Sequence, residues 1–253
     1  KLRQMYVLRR MAELGFITSA QLDAAQTEAI VAKHGNQEFS VKADYLAEMV
    51  RQVMYERYQE DTYTQGFNVY TTIRQQDQAA AYAAVRNGVM EYDARHGYRG
   101  PEGFIDLRKD KSEEFLEEAL QDVTDSDDLI PAIVEEVRAK SVKAYCKGGQ
   151  VVEISDDGLR FAQRSLGDRL SLNQRIRVGS LIRVQHNEKG FWQIVQIPQV
   201  ESAFVSASPR NGEIYALVGG FDFNHNQFNH VTQAWRQPGS SFKPFIYSAA
   251  LEK

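Results

Sequence analysis

The stretch SAFVSASPRNGEIYALVGG, residues 202–220, decides how the C-terminal part of this chain folds. It holds two strand-like runs, SAFVSAS and EIYALVGG, joined by Pro209-Arg210-Asn211-Gly212. Asn-Gly between two such runs is a strong hairpin signal, because a tight two-residue turn needs residues that accept positive φ. A β-hairpin ending in Gly219-Gly220 is therefore expected, with a new element after it.

That element is WRQPGSSFKPFIYSAALEK, residues 235–253. Pro238 cannot lie inside a helix, and Pro244 is tolerated only near a helix start, where amide hydrogens have no intrahelical partner. The two prolines place a helix start at or just beyond Ser240. Ser240 and Lys243 then sit three apart, on one face, at the end with free N–H groups and positive dipole. A serine hydroxyl needs a neighbouring base to become a nucleophile. Lysine serves as that base only if burial or nearby positive charge lowers its pKa. Phe242 and the run Phe245-Ile246-Tyr247 are compatible with such burial. The tetrapeptide S-x-x-K alone fits equally a helix N-cap serine beside a surface lysine.

On the other side of the hairpin the chain changes character. An acidic segment (112–128) precedes the strand-like runs IVEEVRAKSVKAYC, QVVEI, SLIRVQHN and FWQIVQI. Polar and glycine-containing intervals separate them, the pattern of a small all-β barrel or sandwich. CKGGQ (146–150) reads as a turn between two of these strands, and Asp125–Asp128 as a solvated loop that lacks the spacing of a calcium site. Phe191 and Trp192 suit a packed barrel core, or a binding face of the kind OB folds offer to oligonucleotides and sugars.

Further upstream, RHGYRGPEG (95–103) reads as a boundary loop, and Gln75 to Tyr92 as an alanine-rich helix. GFNVYTTIR (66–74) alternates like a strand. Three helices are expected before it. The first carries Leu2, Met5, Leu8, Met11 and Leu14, with Gly15 as its cap. The second opens on a Thr18/Gln21 capping box and carries Leu22, Ala25 and Ala29. The third carries Leu46, Met49, Val50, Val53 and Met54. Residues 34–40 read as a linker.

The 253 residues carry 30 basic and 34 acidic side chains, a formal charge of −4. Such a balance argues against nucleic acid, whose phosphates call for clustered Lys and Arg. One cysteine, Cys146, excludes an intramolecular disulfide. The five histidines lack metal-ligand spacing, so neither metal nor cofactor is expected. No apolar run approaches the roughly 20 residues of a membrane span. The start at Lys1 shows no signal peptide and reads as the start of a fragment.

NGEIYALVGGFDF followed by FNHVTQAWRQPGSSFKPFIYSAALE resembles the transpeptidase domain of class A penicillin-binding proteins, in which S-x-x-K is the nucleophile motif. YVLRRMAELGFIT is similar to the tail that follows their glycosyltransferase domain. YTQGFNVYTTI is similar to a linker strand ending T-T-[IL]-D; Arg74 departs from that ending, with an effect expected only on a helix cap. The β-rich region is similar to the OB-like insert carried by Gram-negative members of the family.

The resemblance implies an α+β, multidomain fragment. Residues 1–40 would be the glycosyltransferase tail and helical linker, and 41–102 the linker and N-terminal part of the transpeptidase region. Residues 103–198 would be the OB-like β-barrel insert, and 199–253 the start of a transpeptidase α/β domain. It further implies that Ser240 is acylated and Lys243 is its base partner. The partners it implies are peptidoglycan stem peptides ending in D-Ala-D-Ala, lipid II for the parent, and β-lactams. An outer-membrane lipoprotein activator could dock on the insert. The location it implies is the periplasmic face of the bacterial inner membrane, with an anchor upstream of Lys1.

The family's S-x-N and K-T-G do not follow Ser240 here. The chain is accordingly expected to be cut inside a domain, to turn over no peptide, and to label poorly with penicillin. The helix after Ser240 is expected to fray or repack. The competing reading is a non-catalytic OB-like module that docks protein or glycan partners.

Overall fold

The computed structural model describes residues 2–27, 41–108, 110–187 and 189–252. It separates into two units, Lys1–Ser40 and Val41–Lys253. The first holds α1 (Leu2–Glu13) and α2 (Ser19–Thr27). Gly15 ends α1 as expected, with the Phe16 N–H returning to the Met11 carbonyl at 2.8 Å. The capping box forms: the Thr18 N–H donates to Gln21 Oε1 at 2.9 Å, and the Gln21 N–H to Thr18 Oγ1 at 3.3 Å. Ala29 and the 34–40 linker lie outside the described residues.

The second unit opens with α3 (Asp44–Tyr58), the short α4 (Asp61–Thr64) and α5 (Gln75–Arg95). Then come β1 (Gly103–Phe104), α6 (Glu113–Gln121) and β2 (Ile130–Val137), β3 (Ser141–Cys146), β4 (Val151–Ser155), β5 (Ser180–His186) and β6 (Trp192–Val195). The chain continues into β7 (Phe204–Ala207), β8 (Ile214–Val218) and α7 (Lys243–Leu251). This is a mixed helix-and-sheet architecture.

The strands β2 to β6 form an antiparallel barrel. The order runs β1-β5-β2-β3-β4, β6 pairs with β5 beyond β1, and β6 also lies against β4, which closes the sheet. Numbering the barrel strands one to five from β2, each lies beside the neighbours of an OB fold, with order 1-2-3-5-4-1. Inward positions meet in cross-strand pairs, Val142 with Ile154, Ala144 with Val152 and Val184 with Ile194. All six are buried in one cluster. In β4 the burial alternates strictly, as one core face requires.

β2 is buried on both faces because α6 covers its outside, with Leu116 and Leu120 packed on Ile133 and Tyr145. α6 was not legible as a helix in its acidic segment. Ser112 caps it, accepting the Phe115 N–H at 3.3 Å, and Glu113 and Glu114 sit at the positive end of its dipole. CKGGQ is the β3–β4 turn.

Cys146 ends β3 at 1% exposure, and burial pushes its thiol up to about 11. The thiolate is the reactive form. Cys146 should therefore resist a thiol reagent such as DTNB at pH 8 in the native protein and react promptly in urea; fast native labelling would contradict the packing.

The β7–β8 hairpin turns at Gly212, φ +76, with the Gly212 N–H on the Ser208 carbonyl at 2.9 Å. Its apolar face, Ala216 and Val218, packs on Ala81, Val85 and Val89 of α5. Leu129 and Val195 from the barrel join the same cluster, so barrel and hairpin share a core.

The expected strand at 66–74 does not form a ladder. The segment is extended and exposed, and it touches β8 through the Arg74 N–H on the Tyr215 carbonyl (2.9 Å) and Thr72 Oγ1 on the Ile214 carbonyl (2.7 Å). The next position on that edge is taken by a side chain. Gln78, 1% exposed, accepts the Leu217 N–H at 2.8 Å and donates to the Leu217 carbonyl at 3.0 Å. A side-chain amide thus replaces a strand along β8. Arg74 does more than cap α5: its guanidinium lies over the Tyr215 ring at 3.5 Å.

Candidate active-site segment

The hairpin delivers the chain to Gly219-Gly220, and no side chain fits there. A Cβ on Gly219 would lie 2.6 Å from Asn229 Oδ1 and from the Tyr45 ring; one on Gly220 would lie 2.3 Å from Tyr45 Oη. Tyr45 of α3 is the residue this double glycine accommodates. Its hydroxyl donates to the Asn226 carbonyl at 2.7 Å, and its ring meets Phe223 edge-on at 5.0 Å.

The loop that follows is held by polar contacts. Glu201 accepts the Phe221 N–H at 2.7 Å, and the Gly219 carbonyl accepts the His230 N–H at 2.8 Å. The Asn229 N–H donates to Gln233 Oε1 at 2.7 Å. Asp222 and Asn229 are both buried, and among the described residues Asp222 Oδ2 and Asn229 Nδ2 have no partner.

Beyond this loop the chain turns through a 3₁₀ segment, Gly239–Phe242, directly into α7. The Lys243 N–H donates to the Ser240 carbonyl. In 3₁₀ geometry residues i and i+3 eclipse, so Ser240 and Lys243 stack on one face. Pro244 lies in the first turn of α7, where its missing N–H costs nothing. The helix start is where the two prolines placed it. Among the described residues, neither the Ser240 nor the Lys243 side chain makes a hydrogen bond or ion pair.

The burial expected around Lys243 is not supplied by its neighbours. Every residue from 236 to 252 is exposed, with Phe242 at 52%, Phe245 at 68% and Ile246 at 55%. α7 is nevertheless a regular helix over nine residues rather than frayed or repacked. The Phe242 and Phe245 rings lie 5.5 Å apart and both remain more than half exposed.

Against these two motifs stand the comparisons with known proteins. Residues 98–200 match the penicillin-binding protein OB-like domain family, and residues 202–253 the penicillin-binding protein transpeptidase domain family. Penicillin-binding protein 1A of Neisseria lactamica is 44% identical over all of this chain. The chain belongs to the penicillin-binding protein 1A family. The Escherichia coli penicillin-binding protein 1A is 40% identical over 99% of the chain. The crystal structure of penicillin-binding protein 1A from Haemophilus influenzae superposes with TM-score 0.75 at 38% identity over 98% of the chain. The chain spans 32% of the Neisseria relative, 30% of the E. coli one and 36% of the H. influenzae structure. Among the described residues, no helix is long and apolar enough to cross a membrane.

Two polar ties fasten the OB-like domain to α5. At its neck, Asp93 Oδ1 accepts Arg99 Nη1 at 2.7 Å, and Gln196 Nε2 donates to Asp93 Oδ2 at 2.7 Å. Arg99 also reaches the Ile197 carbonyl at 2.6 Å. The second tie corrects the reading of Asp125–Asp128 as a solvated loop. Asp127 accepts Lys42 Nζ at 2.9 Å and the Tyr82 hydroxyl, with Arg86 at 3.7 Å, and Asp128 pairs with Arg86 at 2.8 Å. Arg86 in turn lies over the Phe221 ring at 4.3 Å, at the head of the loop leading to Ser240. Apart from the Asp93–Arg99 pair, these contacts join residues more than 40 positions apart, so short-range spacing carried no signal of them.

Burial works against the Asp127 charge, but the Tyr82 and Lys42 hydrogen bonds and the Arg86 charge outweigh it and hold the carboxyl below its usual range. An acid with a depressed folded pKa contributes stability above its unfolded value, about 3.9, and loses it as pH falls through the folded one. Asp127→Asn should lower Tm at pH 7, and the gap to wild type should close below about pH 4. A gap independent of pH would mean the carboxylate charge plays no part.

Proposed function

We propose that this chain is the linker, insert and nucleophile-bearing region of a bifunctional peptidoglycan synthase, with Ser240 the acylated serine of its D,D-transpeptidase and Lys243 the base beside it. The observation that carries this is the stacking of Ser240 and Lys243 on the 3₁₀ turn that opens α7, inside the segment matching the transpeptidase family. We divide the chain as 1–40, 41–102, 103–198 and 199–253.

The chemistry follows from the residues. Ser240 Oγ attacks the carbonyl carbon between the two D-Ala residues of a stem peptide while Lys243 takes its proton. The C–N bond breaks, an ester to Ser240 remains, and the terminal D-Ala leaves with that proton. The amine of a neighbouring stem then attacks the ester, forming the cross-link and restoring the hydroxyl. A β-lactam supplies a strained amide of the same shape, and its acyl product stays on the serine.

Each tetrahedral intermediate places an anion at the substrate oxygen. The Ser240 amide can provide one donor; the family resemblance puts the second beyond the K-T-G motif, downstream of Lys253. Losing one donor typically costs on the order of 100- to 1,000-fold. By the same resemblance, downstream transpeptidase residues bury α7 and Lys243. The 253 residues by themselves should thus label poorly with penicillin. The full-length protein would polymerise lipid II and cross-link the product at the periplasmic face of the inner membrane.

A second reading concerns the insert, whose sheet curls until β4 lies against β6, and which would dock protein or glycan partners without catalysing. Cross-linking of glycan strands by the full-length protein, wild type against Ser240→Ala, tests the first reading. Loss of cross-links with polymerisation intact is expected; cross-links retained in the variant would refute the assignment.

A further inference from the structure

The barrel carries a cleft that the transpeptidase chemistry does not use. It lies between the β5–β6 hairpin and the 3₁₀ turn Asp156–Leu159 that follows β4. In barrel order this hairpin is the loop between the fourth and fifth OB strands, one of the loops through which OB folds take oligonucleotides and oligosaccharides. Its volume is about 710 Å³, within the range of ligand sites.

Two aromatic residues lie along it. Phe191 is 66% exposed at the hairpin end, where an apolar ring gains nothing from the barrel core. Trp192 is half-buried and stacks on the His186 ring with centroids 3.8 Å apart. The opposite wall is acidic, with Glu153, Asp156 and Asp157. Gly158 sets that wall in place: a Cβ there would lie 2.2 Å from the Trp192 carbonyl, so the turn backbone rests directly on β6. Asp157 is exposed, and its carboxylate has no partner among the described residues.

The chemistry selects a ligand class. An apolar ring face beside carboxylate acceptors matches a sugar, whose C–H face stacks and whose hydroxyl and acetamido groups donate. Among the described residues, the wall carries three carboxylates, of which Glu153 also faces Arg138 at 3.6 Å, against Lys189 as its one lysine or arginine. This excess of negative charge repels a polyphosphate and disfavours nucleic acid. We propose that this cleft is an oligosaccharide subsite, with Phe191 and Trp192 as the stacking platform and Glu153 and Asp157 as acceptors, and that it holds an N-acetylated glycan strand. The inference rests on the reading of the insert as a docking module, of which it names the ligand.

The test uses the full-length protein and N-acetylchitotetraose bearing a diazirine photolabel. Saturable labelling is expected on the tryptic peptide Gly190–Arg210. Phe191→Ala, at an exposed position and therefore neutral to folding, should reduce it roughly tenfold, the size of one lost aromatic contact. Asp157→Asn should reduce it severalfold. Penicillin labelling of Ser240 should be unchanged in both. Absence of saturable labelling on this peptide, or labelling indifferent to Phe191→Ala, overturns the subsite. The broader docking reading fails separately, if deleting residues 103–198 leaves cross-linking unaltered.

Discussion

If Ser240 is the acylated serine, Ser240→Ala in the full-length protein should abolish covalent labelling by a fluorescent penicillin, by at least about 10³-fold in acylation rate, because the variant has no hydroxyl to form the ester. Ser241→Ala, one residue along the same 3₁₀ turn, should leave acylation within a few-fold. The contrast isolates position from composition: both serines are exposed, and only Ser240 shares a face with Lys243. Lys243→Ala should retain the nucleophile and slow acylation by about 10²- to 10⁴-fold, the usual worth of a positioned base. If Lys243 only anchors the turn, Lys243→Ala would weaken penicillin binding and leave the pH dependence of acylation unmoved. As the base, it moves the rising limb of that profile.

Gln78→Leu is expected to have the largest effect on stability. The glutamine amide makes two buried contacts, with the Leu217 N–H and the Leu217 carbonyl, and a part-buried one with the Lys42 carbonyl at 2.9 Å. Leucine fills the same volume and pairs with none of them. Each buried backbone group left unpaired costs about 1–3 kcal/mol, so two on Leu217 predict a loss on the order of 2–4 kcal/mol. A urea titration reads this as a lower midpoint with an unchanged slope. A loss below about 1 kcal/mol would mean that water replaces the amide along β8.

That same glutamine explains why part of the fold could not be read from the chain. GFNVYTTIR has strand composition and alternation, yet β8 meets side chains there instead of a paired backbone. Alternation reports a half-exposed surface, and it carries no information about which groups fill the edge. The strands β4, β5 and β6 were legible because each has one face in the barrel core and glycine or polar turn residues beside it. By contrast, β2 and β3 read as one run, IVEEVRAKSVKAYC, because the turn at Arg138-Ala139-Lys140 between them carries no glycine or proline. α6 was hidden by its own acidity, although Leu116 and Leu120 recur at helical spacing.

The candidate site divides in the same way. The turn geometry at Ser240 is local, dictated by Pro238 and Pro244, and the structure begins α7 at Lys243. The burial of Lys243 is not local. Phe245, Ile246 and Tyr247 looked able to supply it and instead face outward. Tyr45, Glu201 and Arg86, which position the loop before Ser240, come from segments remote in the chain, and nothing in their immediate neighbours marks them.

The most direct measurement is the location of the acyl group. The full-length protein is treated with penicillin, digested with trypsin and mapped by tandem mass spectrometry. Cleavage after Arg236 and resistance of the Lys243–Pro244 bond place Ser240 near the start of the peptide Gln237–Lys253. The account predicts a single penicilloyl adduct on Ser240. An adduct on Ser241, or on a serine outside this peptide with Ser240 unmodified, would contradict it.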